Sequence, residues 1–160
     1  MTLPATARVT IQAGPIDASA ATGDASASGD VGAVVTFSGL CRDEGGRLAA
    51  LEIEHYPGMA EAEIGRIAQQ ACERWPLTAL HAVHRFGMVR PGETIVLVAA
   101  ASAHRAAAFE AASFLMDYLK TEAPFWKREH LADGSVGPWV EAKESDEQAR
   151  ERWAKPAAPR

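Results

Sequence analysis

A group of basic side chains stands out in a chain whose net charge is −5. Arg42 ends a predicted strand, His104 and Arg105 open a predicted helix, and Lys120 closes that helix. Lys127 and Arg128 follow between Trp126 and Glu129. Such cations suit phosphate or carboxylate chemistry. The first turn of a helix offers free N–H groups to an anion, and cationic side chains strengthen the site. Positive charge there is otherwise unfavourable by about 0.3–1 kcal/mol, so a bound anion would account for His104-Arg105. The plainer reading is that both side chains curl into solvent. Each of the others also has a plain reading. Lys120 complements the helix dipole, Lys127 and Arg128 guard an edge strand, and Arg42 is solvated in a loop. If 125–131 is a strand, Lys127 and Arg128 point to opposite faces.

Other reactive residues are less organised. The histidines are His55, His81, His84, His104 and His130, and none has a partner at zinc-finger or i, i+4 spacing. No metal or resident cofactor is expected. His84, at a strand end, reads as a satisfied structural histidine. Cys41 beside Arg42 is either a thiol of lowered pKa or a small strand residue. Cys72 falls on an apolar helix face and should be inert. No phosphate-cradling glycine loop, nucleophile elbow or H-E-x-x-H pattern is present. Trp75, Trp126, Trp139 and Trp153 serve either core or a subunit contact.

These residues need a scaffold, and 160 residues with 48% apolar content supply one domain with a lean, alanine-rich core. We expect that domain to span 1–153, with 15–31 weakly structured and 154–160 a disordered tail. A pI near 5.5 weighs against a nucleic-acid binder. The run Ile95 to Ala101 is too short to span a bilayer, and the first residues lack a signal-peptide core. Two cysteines make no disulfide framework. A cytoplasmic, membrane-free protein is the expectation.

Alternation predicts strands at 8–13, 32–41, up to Tyr56, 77–86, 94–101 and 125–131, with a short one at 139–141. The second and third should form a hairpin, with Ala49, Leu51, Ile53 and His55 on one face. Pro57 opens the clearest amphipathic helix, carried by Ala60, Ile64, Ile67, Ala68, Ala71, Cys72 and Trp75. A second helix over 103–121 would take Ser102 as N-cap. Short helices are expected near 17–21 and 145–153. Hairpins mixed with two main helices argue for α+β, with a mixed or antiparallel sheet.

Several ordered motifs carry a resemblance. They are Gly-Ala-Val-Val-Thr-Phe-Ser-Gly from Gly32, Leu-Glu-Ile-Glu-His-Tyr-Pro-Gly-Met from Leu51, and His-Arg-Phe-Gly from His84. Ser-Ala-His-Arg from Ser102, Met-Asp-Tyr-Leu-Lys from Met116, Pro-Phe-Trp-Lys-Arg-Glu from Pro124 and Trp-Val-Glu-Ala from Trp139 follow. Together the chain resembles the large, catalytic subunit of molybdopterin synthase, from about Gly32 to Trp153. The resemblance implies an α+β fold with a hammerhead-like α/β subdomain. It implies conversion of cyclic pyranopterin monophosphate into molybdopterin. Sulfur would come from the C-terminal Gly-Gly thiocarboxylate of a ubiquitin-like small subunit. A central homodimer with one small subunit at each end makes a heterotetramer.

By the same resemblance, Lys120 and Lys127 are the active-site lysines. Arg42, His104, Arg105, Arg128 and Glu129, with Leu40 and Cys41, match substrate- and tail-binding positions. Phe37 and Met116 would be apolar walls, and Lys143 would enter from the second subunit. Three positions depart from the family pattern. Leu40 stands where a basic residue is common, Cys41 where an aliphatic one is, and Lys143 where arginine is. Two other readings compete. One is a non-catalytic dimeric scaffold for a ubiquitin-like carrier, and the other is a phosphate-ester hydrolase using His104.

Overall fold

The computed structural model describes residues 6–140 and Trp153. In chain order the elements are β1 (Thr6–Gln12), α1 (Ala18–Ala25), β2 (Ala33–Leu40), β3 (Leu48–His55) and α2 (Met59–Arg74). Then come β4 (Leu77–Arg85), β5 (Gly87–Val89), β6 (Thr94–Ser102), α3 (Arg105–Thr121) and β7 (Phe125–Leu131). They form an α+β fold with two sheets. One has the order β1-β4-β6-β2 and the other β5-β3-β7. The first is mixed, because β1 runs parallel to β4 while β4–β6 and β6–β2 are antiparallel. The second is wholly antiparallel.

The apolar strand β6 explains the larger sheet. Val96 to Ala101 are buried, so β6 needs a partner on each side and helices over its face. α2 and α3 cover one face with Ile64, Ile67, Ala107, Ala108, Ala111, Phe114 and Leu115. The alanines let α3 lie close to the sheet. The other face carries the smaller α1, over Ala79, Leu97, Ala99 and Ala101.

The expected β2–β3 hairpin is not formed. β2 pairs with β6, and β3 pairs with β5 and β7. The reason is charge. β3 carries Glu52 and Glu54, which suit a sheet with an open face, whereas β2 can share the buried flank of β6. The buried face of β3 also differs from expectation. Leu48 and Ala50 are buried, Ala49 is exposed, and a register shift lies between Leu48 and Ala50. β5 was not foreseen. Gly87, with φ +83°, lets the chain leave the first sheet at Arg85 and enter the second two residues later. Arg85 ties that corner, donating to Ala13 O (Nη2, 2.9 Å) and pairing with Glu93 (3.3 Å).

Helix starts also shift. α1 occupies part of 15–31 and is capped by Asp17, whose carboxylate accepts from Ala20 N (3.0 Å). α2 begins at Met59, and Glu61 reaches back to Gly58 N (2.6 Å). The N-cap of α3 is His104, without a side-chain cap bond. Ser102 is instead buried, and its hydroxyl donates to Pro76 O (2.8 Å). Gly32 is obligatory beneath it, since a Cβ there would sit 2.2 Å from Ala103 O.

Among the described residues no helix is long and apolar enough to cross a membrane. Val140 makes an isolated bridge to Lys127. Glu141 of the expected 139–141 strand, Lys143, the expected 145–153 helix before Trp153, and the tail lie outside the described residues.

Candidate active site

Lys120 and Lys127 are brought to one corner by a tight connection. α3 ends at Thr121, Glu122 N donates to Tyr118 O (2.8 Å), and Phe125 N donates to Ala123 O (2.7 Å). Pro124 cannot continue the helix, so the chain turns directly into β7. Lys120 is exposed in the last turn of α3, and Lys127 is half-buried in β7. Both ammonium charges bear on one buried side chain, His84 at the end of β4.

His84 is 5% exposed. Its ring lies on Phe125, with centroids 3.9 Å apart and planes 13° from parallel. Nδ1 is 2.7 Å from Arg85 O and donates to it. Burial drives the imidazole pKa down to about 3; the bond to the Arg85 carbonyl opposes this, and the positive charges of Lys127 and Lys120 reinforce it. The ring is therefore buried and neutral beside the lysine corner. His55 extends the aromatic cluster, 4.7 Å from Phe86 and 6.2 Å from Phe125.

The β3–β7 register sorts the remaining residues by face. Phe125, Lys127 and Glu129 stand opposite His55, Ile53 and Leu51. Ile53 is fully buried and packs with Cys41, Leu48 and Val89. Trp126 and Arg128 take the opposite face. There Trp126 meets Tyr56 edge-on at 5.3 Å. Arg128 Nε donates to Glu52 (2.7 Å), His130 Nε2 is 2.8 Å from the same oxygen, and Trp139 lies 4.5 Å from the Arg128 guanidinium. The bonds from Arg128 and His130 hold the Glu52 carboxyl below its ordinary pKa. Lys127 and Arg128 thus point apart, as a strand requires. Glu129 is engaged by Arg47 (Nη2, 2.7 Å).

β2 flanks β6 and packs beneath α3. Phe37 is 41% exposed and shares a face with Val35, which packs towards α2 and α3. Leu40 is 51% exposed at the end of β2, and Arg42 is exposed just beyond. Met116 is buried one turn before Lys120. Cys41 is buried, and its backbone is clamped by Glu93 O (2.9 Å) and Gly92 N (2.8 Å). Burial first, then the charges of Glu93 and Glu44, raise the Cys41 thiol pKa, so the reading of a lowered-pKa thiol fails.

His104 and Arg105 are exposed at the opposite end of α3. At about 1.5 Å rise per residue, Lys120 lies roughly 22 Å away along the helix. One copy of the chain does not gather both groups. No cluster of metal-ligating side chains occurs among the described residues.

Sequence reasoning had His84 as a structural histidine and missed its place beside the lysines. The only signal was its position in the His84-Arg85-Phe86-Gly87 run. Arg47, the partner of Glu129, had no signal.

Residues 11–122 match the family described as MoaE protein. The chain belongs to that family. A "Molybdopterin synthase catalytic subunit" of Mesorhizobium japonicum is 75% identical over 124 residues, 78% of each chain. One of the same name from Brucella melitensis is 70% identical over 127 residues, covering 79% of this chain and 78% of its own. Among solved structures, "Molybdopterin cofactor biosynthesis protein E" of Burkholderia multivorans superposes with a TM-score of 0.80 at 40% identity. It covers 95% of this chain and 99% of its own. The α+β expectation and the family resemblance both hold.

Proposed function

We propose that this chain catalyses the sulfur-transfer step of molybdopterin synthesis at the corner holding Lys120 and Lys127. The observation that carries the reading is the tight α3–β7 turn that brings Lys120 and Lys127 to one corner beside the buried His84, in a chain of this family. The substrate, cyclic pyranopterin monophosphate, is anionic. So is the thiocarboxylate tail of a small, ubiquitin-like partner. Fixed positive charge in a partly dry corner serves both.

In this reading sulfur passes from the carrier's terminal thiocarboxylate to the pterin. The thiocarboxylate sulfur forms a bond to a side-chain carbon of the pterin and displaces an oxygen there. Water then cleaves the acyl C–S bond, leaving a carboxylate on the carrier and a thiolate on the pterin. A second carrier supplies the second sulfur. Lys120 stabilises the anion that develops on the carrier's carbonyl, or hands over a proton. Lys127 does the same on the pterin side. Arg42, with Leu40 and Cys41 leading into it, binds the incoming anions beside the walls formed by Phe37 and Met116. Glu129, on the Lys127 face, supports the rim, while Arg128 on the other face of β7 holds Glu52. No resident cofactor is needed, because sulfur arrives on the carrier.

His104 and Arg105 cannot reach the same substrate within one copy. The reading therefore uses a homodimer, in which these residues and Lys143 serve the partner's site. The relatives are named as a catalytic subunit, which fits an assembly with a second kind of chain.

A carrier loaded with radiosulfur as its thiocarboxylate tests the function. Incubated with the chain and cyclic pyranopterin monophosphate, it should transfer label to the pterin. Label that stays on the carrier despite complex formation would favour a scaffold. Phosphate release without any carrier would favour a hydrolase.

A further inference from the structure

The tight turn from α3 to β7 brings Lys120 and Lys127 to one corner, and a side-chain contact between the two sheets braces that corner. Lys120 ends a helix and Lys127 sits in a strand of the smaller sheet. Phe125 begins that strand and shares a face with Lys127 two residues on. Its ring is held by two histidines from two other strands, His84 of β4 and His55 of β3. β4 belongs to the larger sheet, on which α3 lies. The His84–Phe125 contact therefore joins the sheet beneath Lys120 to the strand that carries Lys127.

We propose that His84 is a positioning residue: its ring, laid on Phe125 and tied to the Arg85 carbonyl, fixes the start of β7 and so holds Lys127 beside the end of α3. The stack is nearly parallel, and the Nδ1 bond prevents the ring from turning. Because the imidazole is buried and uncharged, it adds no third cation to the lysine pair. The catalytic meaning of this arrangement rests on the proposed function; the positioning itself does not.

The test compares wild type with His84→Ala and His84→Phe, the second keeping a flat ring on Phe125. Two quantities are read on folded protein. One is the acetylation rate of Lys127 by an amine-reactive ester, followed by mass spectrometry. The other is single-turnover sulfur transfer. His84→Ala should change Lys127 acetylation by at least about threefold, the change that half a pKa unit produces. It should slow transfer on the order of tenfold to a hundredfold, as a misplaced group does. His84→Phe should recover most of both. If His84→Ala does not fold, His84→Leu fills the space without a stacking face and should behave as the alanine variant. Unchanged Lys127 acetylation in a folded variant lacking the ring overturns the proposal. Altered acetylation, rescued by Phe, with unchanged transfer upholds the positioning and removes Lys127 from catalysis.

Discussion

Lys127 stands directly opposite Ile53 across the β3–β7 ladder, and Ile53 is fully buried. The lysine thus leaves the strand on the face that packs inward, while its neighbour Arg128 leaves on the face occupied by Glu52 and Trp139. This one alternation separates a residue in the candidate site from a residue that ties the outer surface.

Arg128→Ala should accordingly be mild in stability. The Arg128–Glu52 pair is partly exposed, at 34% and 19%, so its loss should cost about 0.5–1 kcal/mol. Glu52 keeps His130. Urea unfolding measures this, and a loss of several kcal/mol would mean that the pair is far more sheltered than its exposure indicates.

Acid should destabilise the fold in two stages. His84 has its folded pKa lowered from 6.5 to about 3. The unfolded chain therefore binds a proton there that the folded chain refuses. Stability falls as pH drops below about 6.5, by about 1.4 kcal/mol per pH unit from this group, until about pH 3. Glu52 has the opposite kind of shift, a depressed carboxyl. Its contribution is intact above the ordinary value of 4.5 and is lost as pH falls through the lower, folded value. Urea midpoints at pH 7.5, 6.5 and 5.5 should decline for wild type. His84→Phe should flatten that decline, and an equally steep fall in the variant would contradict the assignment to His84.

The aromatic box near the end of the chain should carry measurable stability. Trp153 lies edge-on to Trp75 (5.8 Å) and Phe114 (5.7 Å), with the Arg74 guanidinium 5.8 Å from its ring. Its indole N–H donates to Asp117. Trp153→Ala should cost about 2–3 kcal/mol, less than a fully buried tryptophan because the ring is only half-buried. Trp153→Phe should restore part of it. Denaturant titration checks both.

How far the sequence foretells this molecule depends on how local each feature is. α2 was readable because Ala60, Ile64, Ile67, Ala68 and Ala71 repeat at helical spacing, and all are buried. β6 and most of α3 were readable for the same kind of reason. The false β2–β3 hairpin shows the limit. Chain proximity favours the hairpin, but the apolar flank of β6 competes for β2 and wins. β5 is three residues long and carries no periodic signal. In the site, Lys120 and Lys127 came from motifs, and their opposite-face relation to Arg128 came from strand alternation. The distance from Lys120 to His104 was also implicit, since both were placed on one long helix. The role of His84 was out of reach, because it depends on β4 meeting the start of β7 across two sheets.

The proposed sharing of each site between two copies makes a sharp prediction about mixed dimers. Lys120→Ala and His104→Ala homodimers should both be impaired. In a hybrid of the two chains, one site receives both altered residues and the other receives neither. Hybrid dimers purified by dual tags should therefore regain about half of wild-type transfer. If each site were built within one chain, every site would hold one altered residue and no activity would return.

The central claim is sulfur transfer at the lysine corner, and single-turnover formation of molybdopterin tests it most directly. Wild type, Lys120→Ala and Lys127→Ala would each be mixed with thiocarboxylated carrier and cyclic pyranopterin monophosphate, with folding and carrier binding confirmed. The account predicts product from wild type, and a loss on the order of a hundredfold or more for Lys120→Ala, as removal of a transition-state cation or proton donor produces. Lys127→Ala should also be slowed. Full activity in Lys120→Ala, with the carrier bound as in wild type, would contradict it.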